Sequence, residues 1–361
     1  MAILMVIAFH LLYPMTRYVE MDAFVAFVEA TVPAALALQG HFGVDVFFVM
    51  SGFLVTSMYL KRTDNAKQLE LRRYLSRRAI RLLPPYLAVM VVAYLLLPRH
   101  CPTIWTNLLL INNYFPADQV CVFWSWSLAI EFQFYLLLPY LCWLLARTPH
   151  QMLLAALLGG AVALNIGYLL QVGGFESNWD FANRFYSPTQ FRVGALLLGV
   201  AAAYVHRDHG ERLRSWAARP GIARAWFTLA LLMFLIPIGL PSKSVMQDFD
   251  SYTLLSSIYE GAYRYIFSGG VTLYMLLALS GGSPRLGKLL GHRVFIPIAR
   301  LSYVVYLVHL LVIEELYALL FEDIADLLLI IPIALALIAL VSYLTHVLVE
   351  APFLGLKERR K

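Results

Sequence analysis

Three titratable side chains stand where an apolar residue would serve. His10 lies in VIAFHLL, Glu131 in WSWSLAIEFQFYLLLP and His309 in LSYVVYLVHLL. Charge at bilayer depth is costly, so such residues face a protein interior or a wet cavity. An imidazole titrates near neutral pH and can act as a base. Trp124, Ser127, Glu131, Tyr135 and Leu138 recur at i+3 or i+4 and would share one helix face. That strip of indole, hydroxyl, carboxylate and phenol can orient a polar group, or bind a neighbouring helix. Arg300, Tyr303 and Tyr306 follow at i+3 and His309 extends their strip.

A second chemistry is carried by arginines. The segment RRYLSRRAIRLLPPY sets Arg72, Arg73, Arg77, Arg78 and Arg81 at the start of an apolar run. Guanidinium forks bind phosphate bidentately, so a cluster suits a polyphosphate. The same cluster would also serve as a topogenic charge held by anionic lipid. In HFGVDVFFVMSGFL, Asp45 is another costly carboxylate, and Gly43 and Gly52 permit close helix approach. Arg192, Arg264 and Arg300 lie within or at the ends of apolar runs, where snorkelling would account for them.

The elements that must position these groups are membrane spans. The 361 residues are 61% hydrophobic and only 14% charged, against roughly 25% charged in soluble domains. Apolar runs fall near 1–14, 42–60, 82–97, 124–146, 151–171, 188–205, 225–240, 263–280, 294–320 and 327–349. With the first connection outside, 21 of the 28 Lys and Arg fall in the inside connections and the C-terminal tail. The expectation is therefore an all-α, polytopic transmembrane helical bundle of about ten spans with both termini cytoplasmic. Cations spread between apolar runs argue against nucleic acid and for membrane lipid as the partner of the net +6 charge.

The first run begins apolar at once. Thirteen helical residues rise about 20 Å against roughly 30 Å of hydrocarbon, so a first helix truncated at its N-terminus is expected. Cys101 and Cys121 share the outside loop 98–123, and Cys142 lies in an apolar run. In an oxidising compartment the first two can pair, worth about 3 kcal/mol for a loop of this size. The alternative is two unpaired thiols. No Cys or His spacing suggests a metal.

Together, VIAFH, FGVDVFFVMSGFL, RRAIRLLPPY, WSLAIEFQFYLLLP, FRVGALLLG, LSYVVYLVHLL and VEAPF resemble the membrane acyltransferase 3 family, in that family's order along nearly the whole chain. The loop CPTIWTNLLLINNYFPADQVC also resembles the nose-resistant-to-fluoxetine branch, while WSLAIEFQFY keeps the glutamate typical of the bacterial branch. The resemblance implies a single membrane acyltransferase 3-like domain over residues 1–361. It implies an integral membrane O-acetyltransferase-like enzyme of the plasma or inner membrane. Such an enzyme moves an acyl group, commonly acetyl, from cytoplasmic acyl-CoA (acetyl-CoA) to a hydroxyl of a carbohydrate or lipid-linked glycan. The family's first-span histidine matches His10, and the arginine eleven positions upstream would precede Met1. Its Arg-x-x-Arg motif matches Arg78 and Arg81, its fourth-span glutamate Glu131, and its ninth-run motif Tyr303, Tyr306 and His309.

On this reading His10 is the catalytic base and Glu131 the carboxylate that orients it. Arg78 and Arg81, with Arg77 and Arg73, hold the CoA phosphates. Trp124, Ser127 and Tyr135 donate to the oxyanion or line the acceptor path, and Asp45, Tyr303, Tyr306 and His309 complete the substrate-binding set. The rival reading is a proton-coupled secondary transporter, which also uses buried Glu, His and Arg. Against it stand the inner-face position of the arginines and the lack of an internal repeat.

Overall fold

The computed structural model describes residues 2–64, 71–96, 101–240, 251–283, 287–288 and 291–358. Arg99 and Lys243, part of the charge count, lie outside them, as does the side chain of Arg73. Among the described residues every regular element is helical. In chain order the α-helices are α1 (Ala2–Leu12), α2 (Met21–Ala30), α3 (Val32–Leu38), α4 (Gly43–Asp64), α5 (Leu71–Leu96), α6 (Ile104–Leu108), α7 (Trp126–Leu145), α8 (His150–Val172), α9 (Asn178–Phe181), α10 (Thr189–Ala217), α11 (Pro220–Gly239), α12 (Leu254–Leu279), α13 (Phe295–Leu320), α14 (Leu327–Thr345) and α15 (Ala351–Glu358).

Seven helical segments among the described residues are long and apolar enough to cross a membrane, or eight if the bent pair Asn178–Tyr186 and Thr189–Ala217 is one span. The chain is thus an all-α polytopic membrane protein. Two of the ten expected spans fall outside that set for different reasons. The first apolar helix, Ala2–Arg17, is short. The helix α12 is 26 residues long but carries Ser256, Ser257, Glu260 and Arg264 along its first half. The 55° bend at Tyr186–Thr189 follows a five-residue π-helix, Ala182–Tyr186, and falls at Pro188, which has no N–H to continue a ladder.

The described chain divides into two compact units. The first comprises Met1–Val44, Arg72–Ile104 and Arg293–Lys361. In it α1 packs on α3 and α13, and α13 on α14. Backbone-to-backbone approach explains the tight seat of α1: a Cβ on Gly40 would stand 1.9 Å from the Met5 carbonyl oxygen, and one on Gly43 would stand 2.5 Å from that of Ala2. Polar links fix α1 and the 3-10 turn after it, Tyr13–Arg17, along α13. The Tyr317 hydroxyl donates to the Leu11 carbonyl, and Arg17 makes a two-pronged pair with Glu314 at 2.7 and 2.9 Å.

The second unit comprises Asp45–Leu71 and Trp105–His292. Here α12 packs on α8, α10 and α11, and α10 also meets α7 and α8. Gly52 of α4 and Gly199 of α10 cross at backbone contact. Their added Cβ atoms would lie 2.3 Å from the Leu196 oxygen and 2.2 Å from the Val49 oxygen. That confirms the close approach expected of Gly52. Between α6 and α7 the loop is stitched by side-chain amides. Asn107 accepts from the Cys121 N–H at 3.0 Å and donates to the Val122 carbonyl, while Gln133 donates to Asn113 and to the Leu110 carbonyl at 2.9 Å each.

Candidate active site

In the first unit His10 meets a second imidazole. His10 Nδ1 lies 2.9 Å from the Val6 carbonyl oxygen, one turn back, and 3.2 Å from His309 Nε2. The ring centroids are 4.9 Å apart. On its other side, His309 Nδ1 lies 2.6 Å from the Tyr306 carbonyl oxygen. His309 is fully buried, whereas His10 is only partly so.

The arginine ladder belongs to the same unit. Arg77 and Arg78 are half-buried and Arg72 and Arg81 exposed on α5. Just beyond them Pro84 and Pro85 lie inside the continuous helix and remove two bonds from its ladder, since neither can donate to the carbonyls of Ile80 and Arg81. Beside these prolines the Tyr303 hydroxyl of α13 donates to the Leu82 carbonyl at 2.6 Å. His309 is six residues further along α13, about 9 Å at 1.5 Å per residue. One helix therefore carries both the tie to the arginine-bearing segment and the ring that meets His10.

In the second unit Glu131 accepts from two hydroxyls. The hydroxyls of Ser51 and Tyr135 both donate to its Oε1, and they lie 3.0 Å from each other. All three residues are buried. Of the strip read from the sequence, Ser127, Glu131 and Tyr135 share α7 and are buried. Trp124 is buried too, but it lies in a short 3-10 turn, Phe123–Ser125, ahead of the helix. Ser51 lies inside the unbroken helix α4, and nothing in the sequence marks it as a partner of Glu131. Nothing in a single chain's order says that α4 will bring it to α7.

Asp45 is the centre of a buried ion triad. Its Oδ2 lies 2.8 Å from Arg264 Nη1, and its Oδ1 lies 3.2 Å from Arg192 Nη2. The ring of Tyr186 stands 4.8 Å from each guanidinium, with Trp126 also 5.3 Å from that of Arg192. This corrects the snorkelling reading of Arg192, whose side chain is 2% exposed. A guanidinium sealed among aromatic rings has no path to an interface, and the carboxylate offsets its charge instead. The signal was present as two cations and one anion in three apolar runs; their pairing was not.

The remaining expected residues are accounted for briefly. Tyr303 and Tyr306 are half-buried on α13. Cys101 and Cys121 are disulfide-bonded, and Cys142 is a buried free thiol. Among the described residues no group of three or more His, Cys, Asp or Glu could hold a metal ion.

A polytopic helical bundle with an imidazole, a carboxylate and an arginine ladder suits the class of membrane-embedded acyltransferases. The comparisons agree: the sequence profile of the acyltransferase domain matches residues 1–347, and the chain belongs to this acyltransferase 3 family. It is 28% identical over 303 residues to a Staphylococcus aureus (strain COL) protein named "Putative O-acetyltransferase", covering 77% of this chain and 47% of the other. It is 28% identical over 299 residues to the peptidoglycan O-acetyltransferase OatA of Listeria monocytogenes, covering 76% and 45%. It is 24% identical over 323 residues to the nose resistant to fluoxetine protein 6 of Caenorhabditis elegans, covering 76% and 39%. The chain thus spans about half the length, or less, of these relatives. No solved structure matches it.

Proposed function

We propose that this chain is an integral membrane O-acetyltransferase that takes an acetyl group from cytoplasmic acetyl-CoA and passes it to a hydroxyl of a carbohydrate or lipid-linked glycan. The observation that carries this reading is the first unit itself. There α13 ties to the segment that follows Arg78 and Arg81 through Tyr303, and meets the partly exposed His10 through His309. A phosphate-binding ladder and a base on one framework are the parts that thioester chemistry requires. The peptidoglycan acceptor in the name of the Listeria relative supports a glycan here.

In the proposed step His10 Nε2 takes the proton of the acceptor hydroxyl as its oxygen attacks the acetyl carbon. The new C–O bond forms, the C–S bond breaks, and the CoA thiolate receives the proton from the imidazolium. A positioned base contributes about 10²–10⁴-fold. Arg78 and Arg81, with Arg77 and Arg73 as further donors, hold the diphosphate and 3′-phosphate of CoA. Glu131, expected to orient His10, is kept as a proposed catalytic residue with Ser51 and Tyr135 on its oxygen, while the contacts at His10 Nδ1 are the Val6 carbonyl and His309. Trp124, Ser127, Tyr135 and Asp45 in the second unit, and Tyr303 and Tyr306 in the first, are the proposed substrate-binding residues.

The test is binding of acetyl-CoA to the purified chain in detergent or nanodiscs, with ATP as a control. Arg78→Ala/Arg81→Ala should weaken acetyl-CoA binding at least about tenfold, the loss of one or two charge-assisted contacts. His10→Ala should bind acetyl-CoA as the parent does and lose transfer to the glycan. Absence of acetyl-CoA binding at millimolar concentration would favour proton-coupled transport instead.

A further inference from the structure

His309 has no exposed surface, so it does not reach a substrate. It does touch the proposed base, and the hydrogen-bond directions around the two rings are constrained. His309 Nδ1 lies 2.6 Å from a carbonyl oxygen, that of Tyr306, which only accepts. Nδ1 must therefore carry a proton. In the neutral ring this leaves His309 Nε2 as a lone pair. The atom facing that lone pair at 3.2 Å is His10 Nδ1, which also lies 2.9 Å from the Val6 carbonyl oxygen. Both neighbours of His10 Nδ1 are acceptors, so this nitrogen too must carry the proton. The lone pair of neutral His10 is then on Nε2.

The opposite assignment fails on the same distances. If His309 Nε2 donated to His10 Nδ1, two ring lone pairs would face two carbonyl oxygens at 2.6 and 2.9 Å. Each would be a buried repulsive contact with an unmade hydrogen bond, costly in a low-dielectric interior.

We infer that His309 is a positioning residue that fixes the tautomer of His10: it accepts the Nδ1 proton of His10 and leaves Nε2 as the basic atom. The inference rests on the reading of His10 as the base. In free histidine the proton prefers Nε2, so a base that must act through Nε2 needs the other nitrogen's proton held in place. When Nε2 takes the acceptor proton, the Nδ1–H of the imidazolium becomes a charge-assisted donor to His309 and to Val6. Such bonds are roughly twice as strong as neutral ones. The pair is held in register by the Tyr317–Leu11 bond between the same two helices, and by the Arg17–Glu314 pair from the 3-10 turn that follows α1.

The experiment compares two variants of the full chain by steady-state kinetics with acetyl-CoA and a glycan acceptor. His309→Gln retains an acceptor oxygen near the lost Nε2, and His309→Phe fills the space without one. His309→Phe should lower kcat about 10²-fold or more, the scale of a misdirected base, with KM for acetyl-CoA within about twofold. His309→Gln should recover at least tenfold of that loss. Equal activities of the two variants, whether high or low, would overturn the proposal. A second measurement needs no functional variant. In the 15N-histidine solid-state spectrum of the parent chain, the His10 signals, identified by their loss in His10→Ala, should show a protonated Nδ1 and a bare Nε2. A protonated Nε2 would overturn it. Parental turnover by His10→Ala would remove His10 as the base, whatever His309 does. A dead His10→Ala beside a fully active His309→Phe would remove the role of His309 alone.

Discussion

Asp45 shows how single residues are constrained in this protein. One carboxylate faces two guanidiniums in a site where the Asp45 and Arg192 side chains are 3% and 2% exposed. Removing a partner from a buried ion group strands the remaining charge and costs about 3–5 kcal/mol. Asp45→Ala should therefore destabilise the chain by that amount, measured as thermal or denaturant unfolding in detergent. A cost below about 1 kcal/mol would mean that water, not Asp45, compensates the arginines. The substitution is predicted to act through folding, which separates Asp45 from His10, whose replacement should spare stability and remove turnover. Glu131 is a different case. The hydroxyls of Ser51 and Tyr135 donate to its Oε1 and tie α7 to α4.

Between elements, backbone contact replaces the hydrophobic drive that lipid cannot supply. The crossing of α4 and α10 rests on Gly52 and Gly199, where an added Cβ would meet carbonyl oxygens, which cannot rotate away. Gly199→Ala should cost about 1–3 kcal/mol, the usual range for overpacking. Gly159→Ala, inside the regular helix α8, is the control. A Cβ there meets nothing within 4 Å, so the change should be neutral or stabilising by up to about 1 kcal/mol. The pair is read by thermal stability. Similar effects at both positions would mean that the contact at Gly199 relaxes at no cost. The same close seating holds α1 against Gly40 and Gly43, and so fixes the height of His10 on α13.

For the whole molecule the open quantity is topology. Lys and Arg concentrate in alternate connections, which predicts Arg212 inside and the acidic turn at Glu322 outside. Both are described and exposed. With native cysteines left in place, Glu322→Cys should react with a membrane-impermeant thiol reagent added outside intact cells, and Arg212→Cys only after permeabilisation. Reversed labelling would invert the bundle and move the arginine ladder to the side without CoA. The same two positions also report whether α12, long but rich in polar residues, counts as a span. An even number of crossings between Arg212 and Glu322 would put them on one side.

Class, membrane residence and family were settled by the order of residues alone. Hydropathy and charge spacing are local properties, and a motif is a local pattern repeated in order. So were the residues under suspicion, because a polar group in an apolar run is conspicuous wherever the run packs. What only the tertiary structure decided is partnership. Ser51 with Glu131, Asp45 with Arg192 and Arg264, and His10 with His309 each join helices far apart in the chain, 219 residues in one pair and 299 in another. Their pairing depends on helix rotation and depth, which follow from summed packing of many small contacts. Hydrogen-bond direction, and with it the basic nitrogen of His10, is set by the acceptors that packing places around the ring.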